Sequence, residues 1–173
     1  MDIRVLGLGN VLMGDDGFGP YVVEALTSAY DFPPNVSVID VGTPGLDLAP
    51  FLIGADAVVV VDSVRSDAEP GTLRMYSRDA LLQHAPAQRL GPHDPGFKQK
   101  LLTLDFAGLG PREVTLVGVV PQTTAPCARL SPPVRTSVAG AVQAVVAELI
   151  RFGGAATPRD GASPAAPWWE KMA

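Results

Sequence analysis

The run Ala57-Val58-Val59-Val60-Val61 is apolar at every position, with no polar residue to meet water on alternate sides. A strand of that kind must be covered on both faces, which points to the interior of a parallel sheet between helical layers. Two further segments suit the same sheet: Ile3 to Leu8, near-continuously aliphatic and β-branched, and Val36 to Val41. All three run out into acid. The first leads through a glycine loop to Asp15-Asp16, the second reaches Asp40 after Ile39, and the third ends at Asp62. The carboxyl ends of parallel strands border the crevice in which open α/β sheets bind ligands.

Between the strands the chain alternates with helical signals. Pro20 opens a helix whose apolar face is Val22, Val23, Leu26 and Tyr30. Pro33-Pro34-Asn35 breaks the chain before the second strand, and Leu46 to Leu52 forms a short helix bent by Pro50. After the turn Glu69-Pro70-Gly71, the alternating segment Thr72 to Tyr76 reads as an exposed strand that could lie antiparallel. A long loop spans residues 84–96, a helix covers Phe97 to Leu104, and Val114 to Val120 is another buried strand. Ser131-Pro132-Pro133 starts the longest helix, with Ser131 as its N-cap and Val134, Val138, Ala141, Val142, Val145 and Leu149 as its buried stripe. The expected architecture is a three-layer α/β/α sandwich around a mostly parallel twisted sheet.

At 173 residues the chain suits one domain, residues 1–152, followed by a Gly/Ala/Pro/Ser-rich tail, 153–173, expected to be mobile. No segment approaches the ~20 uninterrupted apolar residues of a membrane span, and the strand-like start leaves no room for a secretory signal. Cys127 is the single cysteine, which excludes an intrachain disulfide or a Cys-based zinc site and suits a reducing cytoplasm. A net charge of −5 disfavours general nucleic-acid binding, which needs a basic face.

The loop beginning Gly7-Leu8-Gly9-Asn10 opens like a dinucleotide fingerprint but lacks the third glycine, and no Gly-Lys-Ser/Thr follows to make a phosphate-cradling loop. Asp15 and Asp16 would also repel a pyrophosphate. They either present two carboxylates to a site or cap the following helix. Asp40 and Asp62 carry a similar ambiguity, since an Asp at a strand end often anchors a turn. Brought together, however, two ionised carboxylates ~5 Å apart repel by roughly 3 kcal/mol at an effective dielectric near 20, before solvent screening. Such a cluster calls for a proton or a cation. His93, held between Pro92 and Pro95, would complete an imidazole–dicarboxylate set of the kind that binds catalytic metals, whereas His84 reads as an ordinary loop residue. Cys127 has no recognisable base and reads as a free thiol, and no role is assigned to Trp168-Trp169.

The motif Gly7-Leu8-Gly9-Asn10-Val11-Leu12-Met13-Gly14-Asp15-Asp16-Gly17-Phe18-Gly19 closely resembles the opening of the nickel–iron hydrogenase maturation proteases. The likeness continues in order through Asp40-Val41-Gly42-Thr43-Pro44-Gly45, Val61-Asp62-Ser63, Pro70-Gly71-Thr72, Pro92-His93 and Leu116-Val117-Gly118-Val119-Val120-Pro121. It spans roughly residues 3–150.

This resemblance implies a phosphorylase/hydrolase-like fold and an endopeptidase that removes a C-terminal extension from the hydrogenase large-subunit precursor once nickel is in place. The family's metal-contacting positions fall on Asp16, Asp62 and His93, with Asp16 standing where Glu is frequent. Asp40 matches a further family acid considered for a direct, aspartyl-type catalytic role. The implied protein carries no permanent cofactor and grips the nickel of its substrate, cleaving either through a metal-polarised carbonyl or through water activated by Asp40. Two rival expectations remain: a zinc-dependent amidohydrolase, and a nickel-dependent checkpoint protein that binds the precursor without cutting it.

Overall fold

Strand β4 (Ala57–Ser63) is buried at every position and lies inside a five-stranded sheet. The computed structural model describes residues 1–42, 48–84, 97–161 and 167–172. The sheet also contains β1 (Ile3–Leu8), β3 (Val36–Gly42), β5 (Leu73–Ser77) and β6 (Glu113–Val119), in the order β3-β1-β4-β6-β5. β1 pairs in parallel with β3 and β4, and β4 in parallel with β6. Only β5 runs antiparallel, on the edge. Its alternating, half-exposed composition is what an edge strand tolerates.

The parity of side chains along the strands sorts the core into two layers. Ile3, Val5, Val59, Val61, Val117 and Val119 pack beneath α1 (Phe18–Ala29) and α5 (Pro132–Arg151). Leu6, Leu8, Val58, Val60 and Leu116 face the other way. That side is covered by α2 (Ala49–Leu52), α3 (Arg78–His84) and α4 (Phe97–Phe106), through Leu52, Leu81, Phe97, Leu101 and Leu104. The result is the expected three-layer α/β/α arrangement. Because the chain leaves β1 toward β3 on one side and returns to β4 on the other, the sheet has its topological switch point between β1 and β4.

The glycines after β1 let that strand and α1 approach closely. A Cβ on Gly19 would overlap the backbone of Leu8 and Val61, and one on Gly9, at φ 126°, would overlap the Asp16 carbonyl oxygen. A 3₁₀ turn, Gly14–Gly17, feeds directly into α1, so the helix begins at Phe18, ahead of Pro20.

Asp15 in that turn is fully buried, and its carboxylate is taken up by the loop after β6 and the start of α5. Its Oδ2 accepts hydrogen bonds from Gln122 N–H at 2.8 Å, Thr123 N–H at 3.0 Å and the Ser131 hydroxyl at 2.8 Å. Its Oδ1 accepts from Ser131 N–H at 2.7 Å. Backbone bonds reinforce the junction: Asp15 N–H to Thr123 O, Gly14 N–H to Cys127 O, and Cys127 N–H to Leu12 O. Ser131 does occupy the N-cap of α5, but its hydroxyl makes no capping bond to the helix. That hydroxyl is drawn to the buried carboxylate, and Pro132 and Pro133 remove two of the amides a cap would otherwise have to satisfy.

The residues after Phe152, expected as a mobile tail, return in part to the body. β7 (Thr157–Pro158) pairs antiparallel with the two-residue β2 (Tyr30–Asp31), and Arg159 bonds Asp31 at 2.6 Å. Trp169 is buried edge-on against Tyr21, with ring centroids 5.3 Å apart, while Trp168 stays exposed. Glu170 accepts hydrogen bonds from the Tyr21 hydroxyl and from Arg135. The physical reason is the aromatic surface of Trp169, which buries more apolar area than a polar tail could offset by staying solvated.

Replacing Asp15 by Asn tests the junction. The amide group would face an N–H donor in either orientation, because both carboxylate oxygens accept from backbone amides. Asp15→Asn should therefore lower unfolding stability by about 3 kcal/mol or more in urea titrations, and an effect under ~1 kcal/mol would contradict this account.

Candidate active site at the carboxyl ends of β1 and β4

Asp15 and Asp16 are neighbours in one 3₁₀ turn yet serve opposite sides. With Asp15 committed to the loop before α5, Asp16 is left half-buried beside the end of β1. Its Oδ2 accepts a hydrogen bond from the Asn10 N–H at 2.9 Å. Asn10 is itself fixed by an Asx turn, its Oδ1 accepting from Leu12 N–H at 3.0 Å.

Asp62 ends β4 and is buried, only 1% exposed. Its Oδ1 accepts from the Ser63 N–H at 2.7 Å, whereas Oδ2 has no hydrogen-bond partner. Burial pushes the Asp62 carboxyl up to about 8; the Ser63 N–H pulls it down, and the charge of Asp16 pushes it further up. The side chain falls on the sheet face of Val58 and Val60, which α3 and α4 cover. Ser63 lies on the opposite face, and its hydroxyl is also buried without a partner.

An orphaned buried carboxylate oxygen next to a second carboxylate is a donor set short of positive charge. A proton satisfies it at neutral pH, and a divalent cation with affinity for oxygen and nitrogen ligands would satisfy it better. Among the described residues, no three His, Cys, Asp or Glu side chains converge to hold a metal. Of the three expected ligands, Asp16 and Asp62 are close enough for one charge to weigh on the other. His93 belongs to the 85–96 segment between α3 and α4, which lies outside the described residues, as does Pro92.

Asp40 occupies a different place. Gly7 pairs with both Asp40 and Val61, so Asp40 stands two strand spacings, roughly 10 Å, from β4. It shares a face with Val61, while Asp62 takes the other. Asp40 is exposed, its Oδ1 accepts from Gly42 N–H at 2.9 Å, and the protein packed around it raises its carboxyl above the ordinary range against the pull of that amide. Asp40 therefore borders the same sheet edge without joining the Asp16–Asp62 pair.

A cleft of about 530 Å³ lies beyond the ends of β4 and β6, lined by Val64, Arg65, Ser66, Asp67, Val120 and Pro121; Asp16 and Asp62 do not line it. Cys127 is exposed on the loop stapled to Asp15 and contributes backbone bonds there. What sequence reasoning missed is the buried role of Asp15 and the part of Asn10 in holding Asp16. A fold-back signal for the former was present in Ser131-Pro132-Pro133, where two prolines remove the need for a capping side chain.

The model of the hydrogenase maturation protease family matches residues 20–148. The hydrogenase 2 maturation protease of Escherichia coli strain K12 is 35% identical over 161 residues, covering 92% of this chain and 98% of that protein. The hydrogenase expression/formation protein HupD of Rhizobium leguminosarum bv. viciae is 35% identical over 169 residues, covering 97% of this chain and 84% of its own. Among solved structures, the hydrogenase maturating endopeptidase HybD from E. coli superposes with a TM-score of 0.82 at 34% identity, over 92% of this chain and 98% of that one.

The state of Asp62 gives a signed pH dependence. Its folded value, about 8, lies above the ordinary 3.8, so the native protein keeps a proton that the unfolded chain has released between those limits. Stability from this group is complete below about pH 4, declines by roughly 1.4 kcal/mol per pH unit toward pH 8 and then levels. In metal-free buffer, the stability of Asp62→Asn relative to wild type should thus grow steadily from pH 5 to pH 8 in urea unfolding. Parallel curves for the two proteins would refute it.

Proposed function

Because this chain belongs to the hydrogenase maturation protease family, and is a peptidase like its relatives, we propose that it trims the C-terminal extension of a nickel–iron hydrogenase large-subunit precursor, recognising the nickel already seated there. The observation that carries this reading is the unpartnered, buried Oδ2 of Asp62 beside Asp16. A hydrolase that needed only a polypeptide would have little use for a buried carboxyl oxygen left unpartnered beside a second acid. A pair completed by a metal ion arriving with the substrate makes metal loading a condition of productive binding.

In this reading Asp16, Asp62 and His93 hold the substrate's nickel, and the protease itself carries no resident metal. The carboxylates supply hard anionic oxygens and His93 an imidazole nitrogen. Replacing Glu by Asp at position 16 shortens the reach of one ligand by a methylene without changing its donor type. The cleft by Val64, Arg65, Val120 and Pro121 gives the segment around the scissile bond room to lie along the sheet edge. Peptide hydrolysis then adds water to the carbonyl carbon and expels the amine of the extension. In this reading Asp40, exposed and two strands away, is the general base that takes a proton from that water.

The decisive experiment incubates the protein with nickel-loaded and nickel-free precursor and reads the C-terminal mass loss. Loaded precursor should be cut and empty precursor left intact. Asp16→Ala and His93→Ala should each lose processing of loaded precursor by at least ~100-fold while melting as folded proteins. Equal cutting of both precursors would overturn nickel recognition, and a tightly held stoichiometric zinc in protein purified without added metal would favour an ordinary metallo-amidohydrolase instead.

A further inference from the structure

Asn10 is tied to Asp16 by a backbone bond, yet among the described residues only half of its side chain is engaged. Its N–H holds Asp16 Oδ2 at 2.9 Å, and its Oδ1 accepts from Leu12 N–H at 3.0 Å. Only an oxygen can accept from that amide, so the orientation of the carboxamide is fixed by chemistry: Nδ2 is the free end. The side chain is half-buried, and among the described residues Nδ2 donates to no acceptor. Gly9, at φ 126°, turns the chain immediately before Asn10, and Gly7 of the same strand lies in register with Val61, one residue before Asp62. The carboxamide is thus a neutral donor held by the Leu12 turn at the end of β1, on the residue whose backbone N–H bonds Asp16.

We propose that the Asn10 Nδ2–H group donates a hydrogen bond to the carbonyl oxygen of the scissile peptide and stabilises the oxyanion formed there, which makes Asn10 a catalytic residue of the cleavage. This deepens the proposed function and rests on it. A neutral donor suits these surroundings, since Asp16 and Asp40 are acceptors when ionised and would repel a developing negative charge. When water oxygen bonds to the carbonyl carbon, the π electron pair moves onto the carbonyl oxygen. Collapse of that adduct breaks the C–N bond, and the departing amine takes up the proton that the water gave away. The products are a carboxylate and an amine. A donor already locked by the Leu12 turn meets the oxyanion without reorganising, and the removal of one such donor elsewhere costs about 10²- to 10³-fold in kcat.

Asn10→Asp keeps a side-chain oxygen for the Leu12 amide, and so keeps the turn, while deleting the N–H donor; Asn10→Ser keeps the turn without adding charge, but its hydroxyl can still donate. Cleavage of nickel-loaded precursor should show kcat reduced about 10²- to 10³-fold in Asn10→Asp and by less in Asn10→Ser, with KM within about threefold of wild type and melting temperatures close to wild type. An Asn10→Asp protein whose kcat stays within tenfold of wild type would overturn the assignment, and so would a loss expressed in KM alone. Wild-type protein that fails to cut the precursor at all would instead remove the proposed function, and the role of Asn10 with it.

Discussion

A single carboxylate without a cation, that of Asp15, joins the parts of this protein that matter for its site. Four hydrogen bonds converge on it from Gln122, Thr123 and Ser131, which lie more than a hundred residues away in the chain. Burying an ionised carboxylate is costly, and only full satisfaction by directed donors makes it tolerable. The arrangement fixes the glycine loop after β1, the loop after β6 and the start of α5 in one step. Substituting an apolar residue would strand three amides, so the junction is specified chemically rather than by shape alone.

With Asp15 anchored in this way, its neighbour has little freedom. A 3₁₀ turn advances about 120° per residue, so adjacent side chains leave it in divergent directions. One acid is consumed by structure and the next is delivered to the crevice. Gly9 and Gly19 complete the arrangement, because a Cβ at either would push β1, α1 and the loop apart. The acid pair thereby sits at the switch point between β1 and β4, where the topology itself opens a gap.

Much of this was legible from residue patterns. The unbroken Val run of β4, the aliphatic β1 and the alternating β5 gave strand identity, burial and even the antiparallel edge, since period and composition report which faces are covered. α3 was less visible: Arg78–His84 has only Leu81 fully buried, a weak signal for a seven-residue helix. The fold-back of residues 157–158 and the choice of Trp169 over Trp168 were not legible, because the pairing with β2 and the contact with Tyr21 are long-range and composition does not encode them. The divergence of Asp15 and Asp16 was not legible either, for spacing along the chain says nothing about which carboxylate meets distant amides. Likewise, acids at three strand ends look equivalent in sequence, but register places Asp40 on the other face from Asp62.

The energetic tension that remains is concentrated at Asp62. Each fully buried Val of β4 contributes roughly 1.5–3 kcal/mol, so Val58 to Val61 together readily exceed the cost of holding one carboxyl out of water. The strand can therefore end in a group that is unfavourable on its own terms. A protein selected only for stability would place Asn or Ser there. Retaining Asp, with Oδ2 unpartnered among the described residues and the charge of Asp16 nearby, keeps its carboxyl far above the ordinary range. The same sheet that makes the protein stable thus carries, near the end of β4, a carboxyl oxygen whose need for a partner the described residues do not meet.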